Sequence, residues 1–148
     1  MANKSILAFE LTQLEPLIGK WNFTGSFKDN PDKCVEGWET YKVIDDGNVI
    51  LCDGETRTIL SGNIIDLYKY SMKIFFNRSI NKIVGGDEWE ISLGEDTLIF
   101  QNNRHRFTGN LGESKRIIIG KWENITTSGK WKYWYDQTLT KTDCSSRA

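Results

Sequence analysis

The side chains of this 148-residue chain that could do chemistry are few and scattered. His105 is the only histidine, and it lies in Arg104-His105-Arg106. Imidazole titrates near neutral pH and suits iron, so His105 reads as a general base or as the proximal ligand of a haem. The competing reading is a rim or surface histidine whose protonation its two arginine neighbours disfavour. Glu39, Arg106 and Glu123 each stand beside an aromatic residue, namely Trp38, Phe107 and Trp122. Turned inward, they would form a buried ion-pair network or a polar anchor for a ligand carboxylate or carbonyl, because a buried charge needs a partner. Turned outward, they would alternate into water, with Arg106 and Glu123 as a cross-strand pair of little energetic weight. A two-carboxylate mechanism with Glu39 and Glu123 is one alternative, within a wider one of an isomerase or hydrolase using Glu39, Arg106, Glu123 or a pocket tyrosine.

The other chemical resource is aromatic surface. Trp38, Tyr41, Tyr68, Tyr70, Phe76, Trp89, Phe107, Trp122, Tyr133 and Tyr135 lie along strand-like runs. As a lining they suit a flat or acyl ligand, since ligand pockets are mostly apolar with a few polar anchors. As plain core they only stabilise. The tyrosines favour a lining, because each buried phenol needs a hydrogen-bond partner.

Familiar catalytic patterns are missing. There is no Gly-x-Ser-x-Gly elbow, P-loop or dinucleotide fingerprint, so no catalytic residue is assigned and a non-enzymatic role is favoured. A single histidine without clustered cysteines does not make a transition-metal site, and no metal or other cofactor is expected apart from the haem alternative. Cys34, Cys52 and Cys144 are an odd, widely spaced set. They read as three reduced thiols rather than a disulfide framework.

Charge narrows the partners. The net charge is −1 and Lys and Arg occur as singles and short pairs. No single-sign field would draw the chain to nucleic acid or to an anionic membrane. The first ten residues lack a signal peptide's apolar core, and no apolar run approaches the roughly 20 residues of a membrane span. The expected compartment is the cytoplasm. The expected partner is a small hydrophobic or aromatic molecule, bound by a monomer or homodimer; dimerisation through an aromatic sheet face is a further reading.

These residues must be positioned by strands. Leu11, Leu14 and Leu17 allow one short helix within residues 5–17, which Pro16 limits. Beyond it, period-2 runs dominate, beginning with Trp21, Phe23 and Phe27 on one face. Asp45-Asp46-Gly47-Asn48 is a strong hairpin signal, and Asp53-Gly54 reads as another turn, between Val49–Cys52 and Arg57–Leu60. Ile64–Tyr70 and Met72–Phe76 read as separate runs. No helix-length segment separates consecutive strands, so the pattern predicts an all-β antiparallel meander of about eight to ten strands closing as a barrel. Residues 1–148 form a single domain in this reading, with poorly ordered tails at 1–10 and 142–148.

Gly19-Lys20-Trp21 after the short helix resembles the Gly-x-Trp signature of lipocalins and their calycin relatives. The resemblance implies that Trp21 closes one end of an up-and-down barrel and that a late basic residue stacks on it. Lys141 takes that place where an arginine is usual, keeping cation–π attraction but losing planar stacking. Strict alternation puts Lys141 on one face with Trp131, Tyr133, Tyr135 and Leu139. A second resemblance spans most of the chain from residue 11. The order Leu14-x-Pro16-Leu17-Ile18-Gly19-x-Trp21, Gly37-Trp38-Glu39, Arg106-Phe107-x-Gly109, Gly120-x-Trp122-Glu123 and Trp131-x-x-Trp134-x-Asp136 is similar to the DUF1579-type family of small bacterial barrels. That resemblance implies a fold and no settled activity. The residues expected to touch a ligand are Trp38, Glu39, Tyr41, Tyr68, His105, Arg106, Trp122, Glu123 and Tyr133.

Overall fold

The computed structural model describes residues 6–86 and 88–142. Ten strands follow one another: β1 (Gly19–Phe27), β2 (Asn30–Ile44), β3 (Val49–Leu60), β4 (Asn63–Asn77), β5 (Lys82–Gly85), β6 (Trp89–Gly94), β7 (Thr97–Gln101), β8 (His105–Leu111), β9 (Ile117–Ile125) and β10 (Trp131–Thr142). Each pairs antiparallel with the next, and β10 returns to β1, so the sheet closes as a barrel. Closure removes the free edges that such aromatic strands would expose. Alternation then sends one side chain of each pair inward; β1 reads buried at Trp21, Phe23, Gly25 and Phe27 and exposed between them.

A 3-10 helix (Phe9–Leu17) plugs one end. Its three residues per turn stack positions i and i+3, which suits the spacing of Leu11, Leu14 and Leu17. All three are fully buried. Behind them Trp21 is completely buried, and its Nε1 donates to the Leu17 carbonyl at 2.9 Å. Lys141 lies directly opposite Trp21 in the β1–β10 register. Its Nζ sits 5.2 Å from the Trp21 ring centre and donates to the Pro16 carbonyl at 2.7 Å. Burial, and secondarily Arg116, lower the Lys141 pKa.

Four expectations are corrected. Asp53-Gly54 is not a turn: β3 runs unbroken through it, opposite Glu39 of β2 and Tyr70 of β4. A Cβ on Gly54 would stand 2.4 Å from the Tyr70 ring, so this glycine makes room for a ring rather than for a reversal. Likewise β4 is one strand through Ser71. The Asp45–Gly47 reversal does turn the chain, with φ of +53°, +55° and +91° at Asp45, Asp46 and Gly47. On β10, a bulge at Trp134 breaks strict alternation. Tyr135 and Leu139 are buried, whereas Tyr133 pairs with Glu123 on the outer face and Trp131 packs under Arg106 there. Trp131 and Tyr133 therefore do not share a face with Lys141. Residues 9–10 and 142, expected in loose tails, belong to the 3-10 helix and β10; the rest of that expectation, and Cys144, lie largely outside the described residues.

Among the described residues the wall is thin on both sides of β5, which meets β6 at only two register positions. β5 pairs with β4 only over Ile74–Asn77, and the next link is a single bond from the Gly86 N–H to the Lys73 carbonyl. Further up, β4 has no ladder partner on that side among the described residues, and Ile64, Ile65, Leu67 and Tyr68 are exposed.

Candidate functional site

Above the plug the inward side chains do not fill the barrel. A cavity of about 630 Å³ remains, lined chiefly by aromatic rings from β1, β2, β4 and β6–β10. Phe23, Tyr41, Tyr70, Trp89, Phe107, Trp122 and Tyr135 all contribute. The rings pack against each other in tilted and edge geometries: Phe107 and Trp122 centres lie 5.3 Å apart, and Trp89 meets Trp122 edge-on at 5.9 Å. Such contacts hold the wall rigid without closing the space.

One charged group sits deep in it. Glu39 points inward from β2 because it shares the parity of Val35, Gly37 and Tyr41. The surface it keeps opens into the cavity. Its Oε1 accepts from the Tyr41 hydroxyl at 2.8 Å and its Oε2 from the Tyr70 hydroxyl at 2.5 Å. The second bond crosses three strands, Glu39–Gly54–Tyr70, and depends on the missing side chain of Gly54. Burial raises the Glu39 pKa above the ordinary carboxylate value, and the bonds from Tyr70 and Tyr41 oppose that rise. The same burial, together with the Glu39 charge, raises the pKa of Tyr70 and of the neighbouring Cys52. Tyr135, on β10, is raised by burial first and then by Glu39. A second polar pair lies on another wall, where Trp122 Nε1 donates to Oε1 of buried Gln137 at 2.8 Å.

The structure brings together only some of the residues singled out by sequence. Glu39, Tyr41, Tyr68 and Trp122 line the cavity. Trp38 is turned outward, with Lys20 Nζ 5.7 Å from its ring. Arg106 and Glu123 face out as a cross-strand ion pair of 2.9 Å, so no interior network joins them to Glu39. Tyr133 donates to Asp136 on the outer surface. His105 does not line the cavity: its Nδ1 lies 2.6 Å from Asn124 Oδ1 and its ring stacks on Trp134. A haem seated among the cavity rings would find no histidine there, so the lining does not fit an axial histidine ligand. Gln137 was missed as a site residue, and Tyr70, named among the aromatic lining, was not singled out as the partner of Glu39. Gly54, read as a turn, hid the strand-through-strand row that brings Tyr70 to Glu39. For Gln137 the one available signal was its parity with Leu139 and Tyr135.

No family model matches the chain, and no curated protein matches it. Among solved structures, Rv2717c from M. tuberculosis superimposes with a TM-score of 0.57 at 9% identity, covering 93% of this chain and 100% of that one. The S-type phycobiliprotein lyase CPES from Guillardia theta gives a TM-score of 0.55 at 10% identity, covering 92% of this chain and 98% of that one. At such identity the likeness concerns architecture alone. The fold is that of a lipocalin-like calycin barrel.

Proposed function

We propose that this barrel is a container for one small hydrophobic or aromatic molecule, held in the interior cavity. The observation that carries this reading is the cavity itself: about 630 Å³ lined mainly by rings, with Glu39 and Gln137 as its deep polar groups. That volume lies in the usual range of ligand sites, roughly 300–1,000 Å³. A protein selecting for stability alone would fill such a space, because each missing methylene in a core costs stability. The thin β4–β5 seam and the exposed hairpin beside it supply a way in. The order of motifs supports a place in the DUF1579-type family, and the free thiols of Cys34 and Cys52 agree with a cytoplasmic setting.

The test is a titration with N-phenyl-1-naphthylamine, a neutral aromatic probe whose emission rises on leaving water. Wild-type protein should bind it saturably at one site, with quenching of tryptophan emission from Trp89 and Trp122. Thr58 lines the cavity, and Thr58→Trp should fill it and weaken the probe at least tenfold. Unsaturable binding, or equal binding by the filled variant, overturns the reading.

A further inference from the structure

The polar chemistry of the cavity is one-sided. Among the described residues four charged side chains line it, Glu39, Asp66, Glu88 and Lys33, and three of them are carboxylates. Lys33 is already engaged by a ring, its Nζ standing 4.6 Å from the centre of Phe27. The phenol and indole donors nearest Glu39 and Gln137 are spent. The Tyr41 and Tyr70 hydroxyls both donate to Glu39, and the Trp122 N–H donates to Gln137. Gln137 keeps an amide N–H, a neutral donor that gives little advantage to an anion.

Glu39 is the converse case. A carboxylate offers about four lone-pair sites, and two phenols occupy two of them. No lysine, arginine or histidine forms an ion pair with it among the described residues. A buried carboxylate without a cation is costly, and removing that cost is a source of binding free energy for whatever brings the cation. The rings around it add a second attraction, since aromatic faces attract a desolvated cation within about 6 Å of their centres. A fatty acid would meet the opposite at Glu39: a like charge, and rings that repel it.

Resting on the container reading above, we propose that the barrel selects lipophilic amines, seating the protonated ammonium head against Glu39 inside the cage of rings and the apolar tail along the cavity. The ammonium N–H groups take the carboxylate lone pairs that the tyrosines leave free, as charge-assisted bonds.

The test ranks three ligands that share one tail: dodecylamine, 1-dodecanol and dodecanoate, each added below its micelle concentration at neutral pH to compete with N-phenyl-1-naphthylamine. Wild-type protein should release the probe to dodecylamine at a concentration at least tenfold lower than to dodecanoate, with dodecanol between. In Glu39→Gln the amine should fall to within about threefold of the alcohol. Dodecanoate binding as tightly as the amine overturns the proposal, and so does an amine advantage that survives Glu39→Gln. The wild-type ranking decides even where the variant folds poorly. Failure of all three chains to compete, with the probe itself unbound, instead overturns the container reading and takes the head-group preference with it.

Discussion

The two ends of this barrel are built from the same strands by the same alternation, yet they do opposite things. At the plugged end Leu11, Leu14, Leu17, Trp21 and Ile118 are essentially inaccessible. The polar atoms there are matched, Trp21 Nε1 with Leu17 and Lys141 Nζ with Pro16. Toward the other end the rings pack around a void without filling it, and a carboxylate is held without a countercharge. The plugged end stores the stability; the other half keeps an arrangement that stability alone would not select.

That contrast is sharpest under truncation. Trp21→Ala should cost about 3–5 kcal/mol, because it opens a cavity in a region with no room to collapse and orphans the Leu17 carbonyl. Urea unfolding measures it, and a loss below that of Trp122→Ala would erase the distinction between the ends. Gly54→Ala tests the cavity half by filling rather than emptying. Its methyl group would collide with the Tyr70 ring and push the phenol off Glu39, costing about 1–3 kcal/mol. Unchanged stability and an unchanged Glu39 titration would show that Tyr70 does not need the space.

The buried carboxylate gives a pH signature. Burial raises the folded-state pKa of Glu39 above its unfolded value near 4.5. The folded chain therefore binds the proton more tightly, and the contribution of Glu39 favours folding below that value and is lost as pH rises through the folded pKa. Relative to Glu39→Gln, wild-type protein should lose stability steadily above pH 4.5, by up to about 1.4 kcal/mol per pH unit within the window. Urea midpoints of both proteins across pH 4–8 check this, and a pH-independent difference would refute it. Least affected should be Glu123→Gln on the outer wall. It breaks the partly exposed Arg106–Glu123 pair and should cost under about 1 kcal/mol, with no change in probe affinity. A large loss of probe binding there would move the site to the outer face.

Where sequence reasoning succeeded, the signal was local. Period-2 alternation identified β1, and the Asp45–Asn48 reversal identified its hairpin, because both depend on a few adjacent residues. Where it failed, a single residue changed meaning through its neighbours. Gly54 has the look of a turn residue, but a ring from β4 claims its empty side. Trp134 has the look of one more alternating aromatic, but its bulge carries Trp131 and Tyr133 to the outside and leaves Tyr135 within. Arg106 and Glu123 were legible as a pair and illegible as to side, since one register step exchanges inside for outside.

The sequence by itself determined an all-β antiparallel meander with a short leading helical turn, and the pairing of Trp21 with a late basic residue. The meander and the helical turn follow from side-chain periodicity and turn chemistry, which act over a few residues; the Trp21 pairing is what the Gly-x-Trp resemblance implied. Only the tertiary structure decided which aromatic residues enclose space, that Glu39 alone of the three singled-out charges is buried within it, and that Tyr70 reaches it across Gly54. Those facts depend on strand register and bulges, which arise when strands distant in the chain come together.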